Sequence, residues 1–331
     1  MLKHEGWKAL RYTLLVFIIF IVSACGANVN QNDISSEITE PINSTVESNE
    51  KETRDYVSDK GTIQIPVNPQ RVVVAVDDFI GDLLTLGVTP LAVAGNDIKE
   101  HPYFKESLVN SEIVGDNTTV NFEKIASLKP DLILTYQEEV YSQLSKIAPT
   151  VFIPWGKYNY RERLVEFGKI LNKEQEAEKW ITDFDAKIEE KKKLLADVIA
   201  ADKKVVIFEI AGKDLYLYGT SYGRGGEIIY NALGLHAPAI VEEAVAKEGW
   251  SQISLEAIPQ YLGEADYIFQ GFSRGEEQDK KDVLESPVWN SVSAVKAGNV
   301  FSYDVRSYYF SDAYALDKQL DEVVEKLLAI K

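Results

Sequence analysis

Apolar and polar positions switch between a strand-like and a helix-like period along most of this chain, and the switching pattern occurs twice. Continuous apolar runs at Arg71-Val72-Val73-Val74-Ala75 and Lys204-Val205-Val206-Ile207-Phe208 predict buried strands. Each is followed by a loop and a helical spacing that stops at glycine. In the first half this is Gly81-Asp82-Leu83-Leu84 with Leu86-Gly87-Val88; in the second it is Gly226-Glu227-Ile228-Ile229 with Leu233-Gly234-Leu235. Farther on, Val120-Asn121-Phe122-Glu123-Lys124-Ile125 leads to Pro130-Asp131-Leu132-Ile133-Leu134. Its counterpart, Ile253-Ser254-Leu255-Glu256-Ala257-Ile258, leads to Ala265-Asp266-Tyr267-Ile268-Phe269. Matched order predicts an α/β fold: two similar lobes with central, mostly parallel sheets and a ligand cleft between them. Glu174 to Ala200 contains neither glycine nor proline and carries an apolar stripe, which predicts one long α-helix joining the lobes. A single rigid joint restricts closure to small amplitudes. A last amphipathic helix is expected from about Asp312 to Ile330.

The first residues follow a different pattern. Lys3, Lys8 and Arg11 precede an apolar run from Leu14 to Val22, then Val22-Ser23-Ala24-Cys25-Gly26. A basic stretch, a short apolar core and small residues describe a secretory signal, and the core is too short to span a bilayer as a mature helix. Cys25, the only cysteine, makes the segment resemble a bacterial lipoprotein signal, with diacylglycerol attached to its thiol. The expected place of work is the extracellular face of the cytoplasmic membrane, lipid-anchored, of Gram-positive type. Residues 26–59, rich in Asn, Ser, Glu and Thr, bury too little to order and read as a tether reaching about 30 Å. The predicted organisation is signal 1–24, lipidated cysteine and tether 25–59, N-terminal lobe 60–160, linking helices 161–201 and C-terminal lobe 202–331.

Charge narrows the partners. Thirty-five Lys and Arg against 52 Asp and Glu give −17, and losing the basic signal makes the remainder more acidic still. Such a surface argues against nucleic acid and against electrostatic adhesion to anionic lipid. Without cysteine in the mature chain, and with only His101 and His236 beyond the signal, thiolate and multi-imidazole metal sites are poorly supported. Seventeen tyrosines and five tryptophans point instead to a surface that binds with ring faces and phenol hydroxyls.

Ligands of open α/β sheets sit at the carboxyl ends of strands. The segments expected there are Asn96-Asp97, Tyr136-Gln137, Trp155 to Tyr160, Tyr216 to Arg224, Gln270 to Arg274 and Arg306 to Tyr309. Most hold aromatics and three hold arginine. With Tyr216-Leu217-Tyr218-Gly219-Thr220-Ser221-Tyr222-Gly223-Arg224-Gly225-Gly226-Glu227, and with Ile147-Ala148-Pro149-Thr150-Val151 and Ser307-Tyr308-Tyr309-Phe310-Ser311-Asp312, the chain resembles the substrate-binding lipoproteins of ferric-siderophore ABC importers. The likeness is to the hydroxamate type and extends over roughly residues 61–331.

That resemblance implies a receptor with no catalytic residues and no intrinsic cofactor, its ligand an Fe(III)-siderophore whose iron the chelator already holds. An arginine fork donates to several hydroxamate oxygens at once without displacing the metal. Arg224 is the first candidate for this contact, with Tyr222, Tyr136 and Tyr309 around it and Tyr308, Tyr216 and Trp155 behind. An arginine paired to a carboxylate for structural reasons is the competing reading of Arg224. Arg306 either faces the cleft, favouring an anionic chelate such as one built on citrate, or points to solvent. The resemblance further implies that Glu123 and Glu256, one per lobe, dock on the two ABC permease subunits; each also suits the first turn of a helix. A monomer is expected. Ferric citrate, catecholate, haem and cobalamin are alternatives within the class, and a secreted lipoprotein hydrolase is the alternative outside it.

Overall fold

Valine-rich triplets form strands here because both faces of each sheet are covered, so a continuous apolar run has no solvent side to avoid. The computed structural model of the chain describes residues 52–116 and 118–329; the signal, Cys25 and most of the tether lie outside them. In the N-terminal lobe, β3 (Val72–Val74), β4 (Ala92–Val93), β5 (Glu112–Ile113), β6 (Leu132–Thr135) and β7 (Thr150–Phe152) follow a hairpin of β1 (Thr53–Ser58) and β2 (Gly61–Pro66). The five pair in parallel in the order β5-β4-β3-β6-β7. In the C-terminal lobe, β8 (Val205–Ala211), β9 (Asp214–Tyr218), β10 (Trp250–Ile253), β11 (Tyr267–Arg274) and β12 (Val300–Tyr303) take the same order, β10-β9-β8-β11-β12. The strand order therefore repeats, but the matched helices do not: Ile80–Thr85 lies between β3 and β4, whereas Glu227–Ala232 lies between β9 and β10.

One strand breaks the match. A two-residue turn, Gly212-Lys213, connects β8 to β9, with Ala211 paired to Asp214. Two residues cannot make a parallel crossover, so β9 runs antiparallel. The segment expected as a loop from Tyr216 is thus strand as far as Tyr218, and the loop proper begins at Gly219.

Two boundaries also move. Residues Thr53–Ser58 belong to a strand, not to the tether: Tyr56 buries its ring in the N-terminal core and donates its hydroxyl to Glu166 at 2.6 Å. Composition missed this because β1 is held by pairing with β2, whose Ile65 is buried beside Tyr56 in the same core. Helix Tyr160–Leu171, expected as a linker, packs Leu164, Phe167, Ile170 and Leu171 into that same core. The connecting element is the helix Glu174–Ala196. No helix among the described residues is long and apolar enough to cross a membrane.

The last helix, Ala313–Leu328, adds a second tie. Ala313 and Ala315 sit in the N-terminal core, whereas Leu316, Leu320, Val323 and Leu327 fill the C-terminal one. At this junction three ionisable groups meet. Arg163 donates from Nε to Asp82 Oδ2 at 2.7 Å, and Asp312 accepts from the Ala315 N–H at 2.8 Å while its Oδ2 finds no hydrogen-bond partner. Burial, and then the neighbouring Asp82 charge, push the Asp312 carboxyl up to about 7. In the folded protein it keeps a proton that the unfolded chain releases near 3.8. The stability this group supports is therefore complete below about pH 4 and is lost as pH rises toward 7. Asp312→Asn keeps the capping oxygen and needs no proton. It is expected to stabilise the protein at pH 7.5 by on the order of 2 kcal/mol, with the gain vanishing at pH 4, read by denaturant melts at both values.

Candidate functional site

The loop after β9 places one guanidinium between aromatic rings. Arg224 adopts φ 57°, flanked by Gly223 at 71° and Gly225 at 85°, so three successive residues are left-handed. The glycines are required sterically as well. A Cβ on Gly223 would meet the Tyr309 carbonyl at 2.5 Å, and one on Gly225 the Tyr308 ring at 2.9 Å. The Arg224 N–H donates to the Tyr308 carbonyl at 2.6 Å, which fixes the loop beneath the segment that follows β12.

From there the side chain crosses to Glu209 on the central strand β8, donating from Nε to Oε2 at 2.5 Å. Its carbon centre lies 5.0 Å from the Tyr218 ring and 5.2 Å from the Tyr309 ring. Tyr222 stacks in turn on Tyr218, with centroids 6.0 Å apart. Arg224 is only 8 % exposed. Burial works to lower its pKa, but the Glu209 hydrogen bond and charge outweigh it and hold the guanidinium more firmly protonated. Both readings of this arginine are realised together: it is paired with a carboxylate, and it faces the cleft.

Arg224 and Tyr309 are shared by two hollows between the lobes, of about 700 and 540 Å³. Both volumes fall in the range of small-molecule sites. The larger is bounded by Asp77, Asp97 and His101 from the N-terminal lobe and by Gln270, Tyr303 and Arg306 from the C-terminal lobe. The smaller is bounded by Asp78, Tyr136, Trp155 and Tyr158 on one side and Tyr222 and Glu227 on the other. Among the described residues, no three His, Cys, Asp or Glu side chains converge as a metal site.

The structure thus brings together Arg224, Tyr222, Tyr136, Tyr309, Trp155 and Arg306, and leaves out two expected residues. Tyr308 is fully buried, packed on Tyr303 with centroids 4.9 Å apart, and lines neither hollow. The run Ser307-Tyr308-Tyr309 lies in a short helix, Val305–Tyr309, which sends adjacent side chains in different directions. Tyr216 points from β9 to Trp250 on β10 and supports the column from behind. Tyr136 lines the site, yet its hydroxyl donates to Asp78 Oδ2 at 2.8 Å, so it presents a ring rather than a free donor. Burial, with the Asp78 charge, raises its pKa, and it remains a phenol at any working pH. Arg306 lies at the rim, largely exposed and paired with Asp304 at 3.2 Å.

Several contributors were not anticipated. Glu209 stands in the fully buried run Val205-Val206-Ile207-Phe208-Glu209-Ile210-Ala211, and a charge in such a strand needs a partner. That signal was readable. Asp77 and Asp78 follow a buried strand directly, at its carboxyl end. Tyr218 shares a face with Tyr216, and only the strand assignment separates their roles. His101 donates from Nε2 to the Arg306 carbonyl at 2.9 Å, and Nδ1 accepts from the Tyr103 N–H at 3.2 Å, which fixes its tautomer and joins the lobes at the cleft wall. Glu123 and Glu256 are both exposed in first turns, of the helix Phe122–Leu128 and the 3₁₀ turn Leu255–Ala257, preceding the equivalent strands β6 and β11.

Comparison with known proteins gives the arrangement a context. The family described as periplasmic binding protein matches residues 72–306. The Iron(3+)-hydroxamate-binding protein FhuD of Bacillus subtilis is 37% identical over 317 residues, covering 94% of this chain and 95% of its own. A solved FhuD-fold periplasmic binding protein component of a ferrichrome ABC transporter from Bacillus subtilis superposes with a TM-score of 0.75 at 36% identity. It covers 83% of this chain and 100% of its own. FhuD2 from Staphylococcus aureus, solved with bound ferrioxamine B, gives 0.69 at 29% identity over 78% and 98%.

Proposed function

Because the chain belongs to the periplasmic binding protein family, we propose that it is an extracytoplasmic receptor which captures a ferric hydroxamate siderophore and delivers it intact to an ABC permease. The observation that carries the reading is the Arg224 guanidinium, held between Tyr218 and Tyr309 and open to both hollows.

In a tris-hydroxamate complex six oxygens surround the iron. With Nε committed to Glu209, the terminal nitrogens of Arg224 donate to those oxygens. Tyr309, Tyr222 and Trp155 give ring faces to the chelator backbone. No group acts on a bond of the ligand, and the protein needs no cofactor of its own. Glu123 and Glu256, at equivalent stations of the repeat, serve as the two permease contacts, and their exposure suits charges that set register on a two-fold partner. Cys25 carries the lipid anchor that keeps capture and delivery on one membrane surface.

Trp155 stands 69 % exposed on the wall of the smaller hollow. Ferric hydroxamate is expected to quench tryptophan emission saturably, and Trp155→Leu to remove much of the amplitude. Native mass spectrometry after incubation with mixed ferric chelates identifies the retained complex. No quench and no retained iron complex would end this reading.

A further inference from the structure

Every cation that reaches the two hollows already faces a carboxylate. Arg224 is on Glu209, Arg163 on Asp82 and Arg306 on Asp304, while Lys280 lies 4.0 Å from Glu277. The acids on the walls are matched differently. Asp78 accepts from the Tyr136 hydroxyl and Glu227 from the Asn231 amide, both neutral donors; the arginines whose charges reach them, Arg163 and Arg161, are themselves paired with Asp82 and Asp185, and Asp97 lines the larger hollow exposed. A cleft built around an arginine therefore presents a negative field.

Glu209 decides that balance. It projects from the middle of β8, 2 % exposed, and the sheet fixes its carboxylate beneath the guanidinium. We propose that Glu209 is the specificity-determining residue of this cleft: by holding Nε and balancing the charge of Arg224, it makes the arginine–carboxylate pair neutral overall while the guanidinium still donates. The site then prefers neutral and cationic ferric hydroxamates to anionic chelates. This deepens the binding role proposed above and rests on it.

The chemistry of the ligand agrees. Three hydroxamate monoanions neutralise Fe(III), so the oxygen shell asks for donors rather than for net positive charge, and the overall charge resides on pendant groups. A pendant ammonium gains from Asp78, Asp97 and Glu227; a pendant carboxylate is repelled by them. Arg306 does not reverse the preference, because Asp304 lies against it.

Three probes hold the iron centre constant while the pendant charge changes: ferrioxamine B, a cation; its N-acetyl derivative, neutral; and its N-succinyl derivative, an anion. In fluorescence titrations the wild type is expected to bind the first two well and the third about fivefold or more weakly. The gap should narrow as salt is raised. Glu209→Gln retains an acceptor for Nε but bares the guanidinium. It is expected to improve the succinyl complex relative to ferrioxamine B by about five- to tenfold. Asp97→Asn, at an exposed position with φ 48° that asparagine tolerates, should move the ratio the same way by less. Equal wild-type affinity for all three probes overturns the proposal, with no variant required. A Glu209→Gln protein that scales all three equally assigns that residue a structural role only, which also overturns it. Failure of the wild type to bind any probe instead removes the receptor reading itself.

Discussion

Arg224→Ala is expected to weaken binding of a neutral ferric tris-hydroxamate by about 2–4 kcal/mol, a loss of roughly 30- to 1000-fold. Two effects contribute. The chelate loses its charge-assisted donors, each worth about 1.5–3 kcal/mol, and the Tyr218 and Tyr309 rings lose the cation that both face. The variant also strands Glu209 in the sheet interior, a defect of folding rather than of recognition. Arg224→Lys separates the two. Lysine preserves a positive charge near Glu209 but offers a point charge where the site uses a fork. A lysine variant with near-native melting and a large loss of affinity would assign the effect to the fork. Wild-type affinity in the alanine variant, measured on protein shown to be folded, would remove Arg224 from the ligand altogether.

The second large effect concerns the lobe junction. Arg163→Met should destabilise the protein by about 3–5 kcal/mol at pH 7.5, because it leaves Asp82 without its buried counterion next to a second carboxyl. Burial raises the Asp82 carboxyl, and Arg163 is the principal force holding it down. The deficit should shrink toward pH 4, where the carboxyls are neutral at little cost. Combining Arg163→Met with Asp82→Leu should recover much of the loss, as replacing a whole buried ion pair by apolar groups often does. Denaturant melts of the single and double variants across pH measure this. A pH-independent loss would point to packing of the arginine stem instead.

How much of this was legible beforehand follows from the range over which each feature is encoded. Val72–Val74 and Val205–Phe208 announce themselves, because a doubly covered strand reads as a continuous apolar run. The repeat was legible through the apolar triplets Leu132–Leu134 and Tyr267–Phe269 for the same reason. β9 was hidden because its reversal depends on the length of one turn, not on composition. Arg224 stood out through its glycine neighbours, whereas Tyr308 and Tyr309 are indistinguishable in sequence and are separated by a helical rotation of about 100°. Asp82, Arg163 and Asp312 meet across 230 residues, and no local pattern announces such a meeting.

The Gly223-Arg224-Gly225 bend has a consequence for how receptors of this shape diversify. Backbone contacts under Tyr308 and Tyr309, together with a carboxylate from the sheet, set the position of the guanidinium, whereas Tyr222 and Tyr309 show their outer faces to solvent. Of the two, Tyr222 makes its ring contacts with Tyr218 and Trp250, so it can be exchanged with the least effect on the anchor. A lineage could therefore retune its appetite for one iron carrier over another by single changes at the rim, inheriting the anchor unaltered.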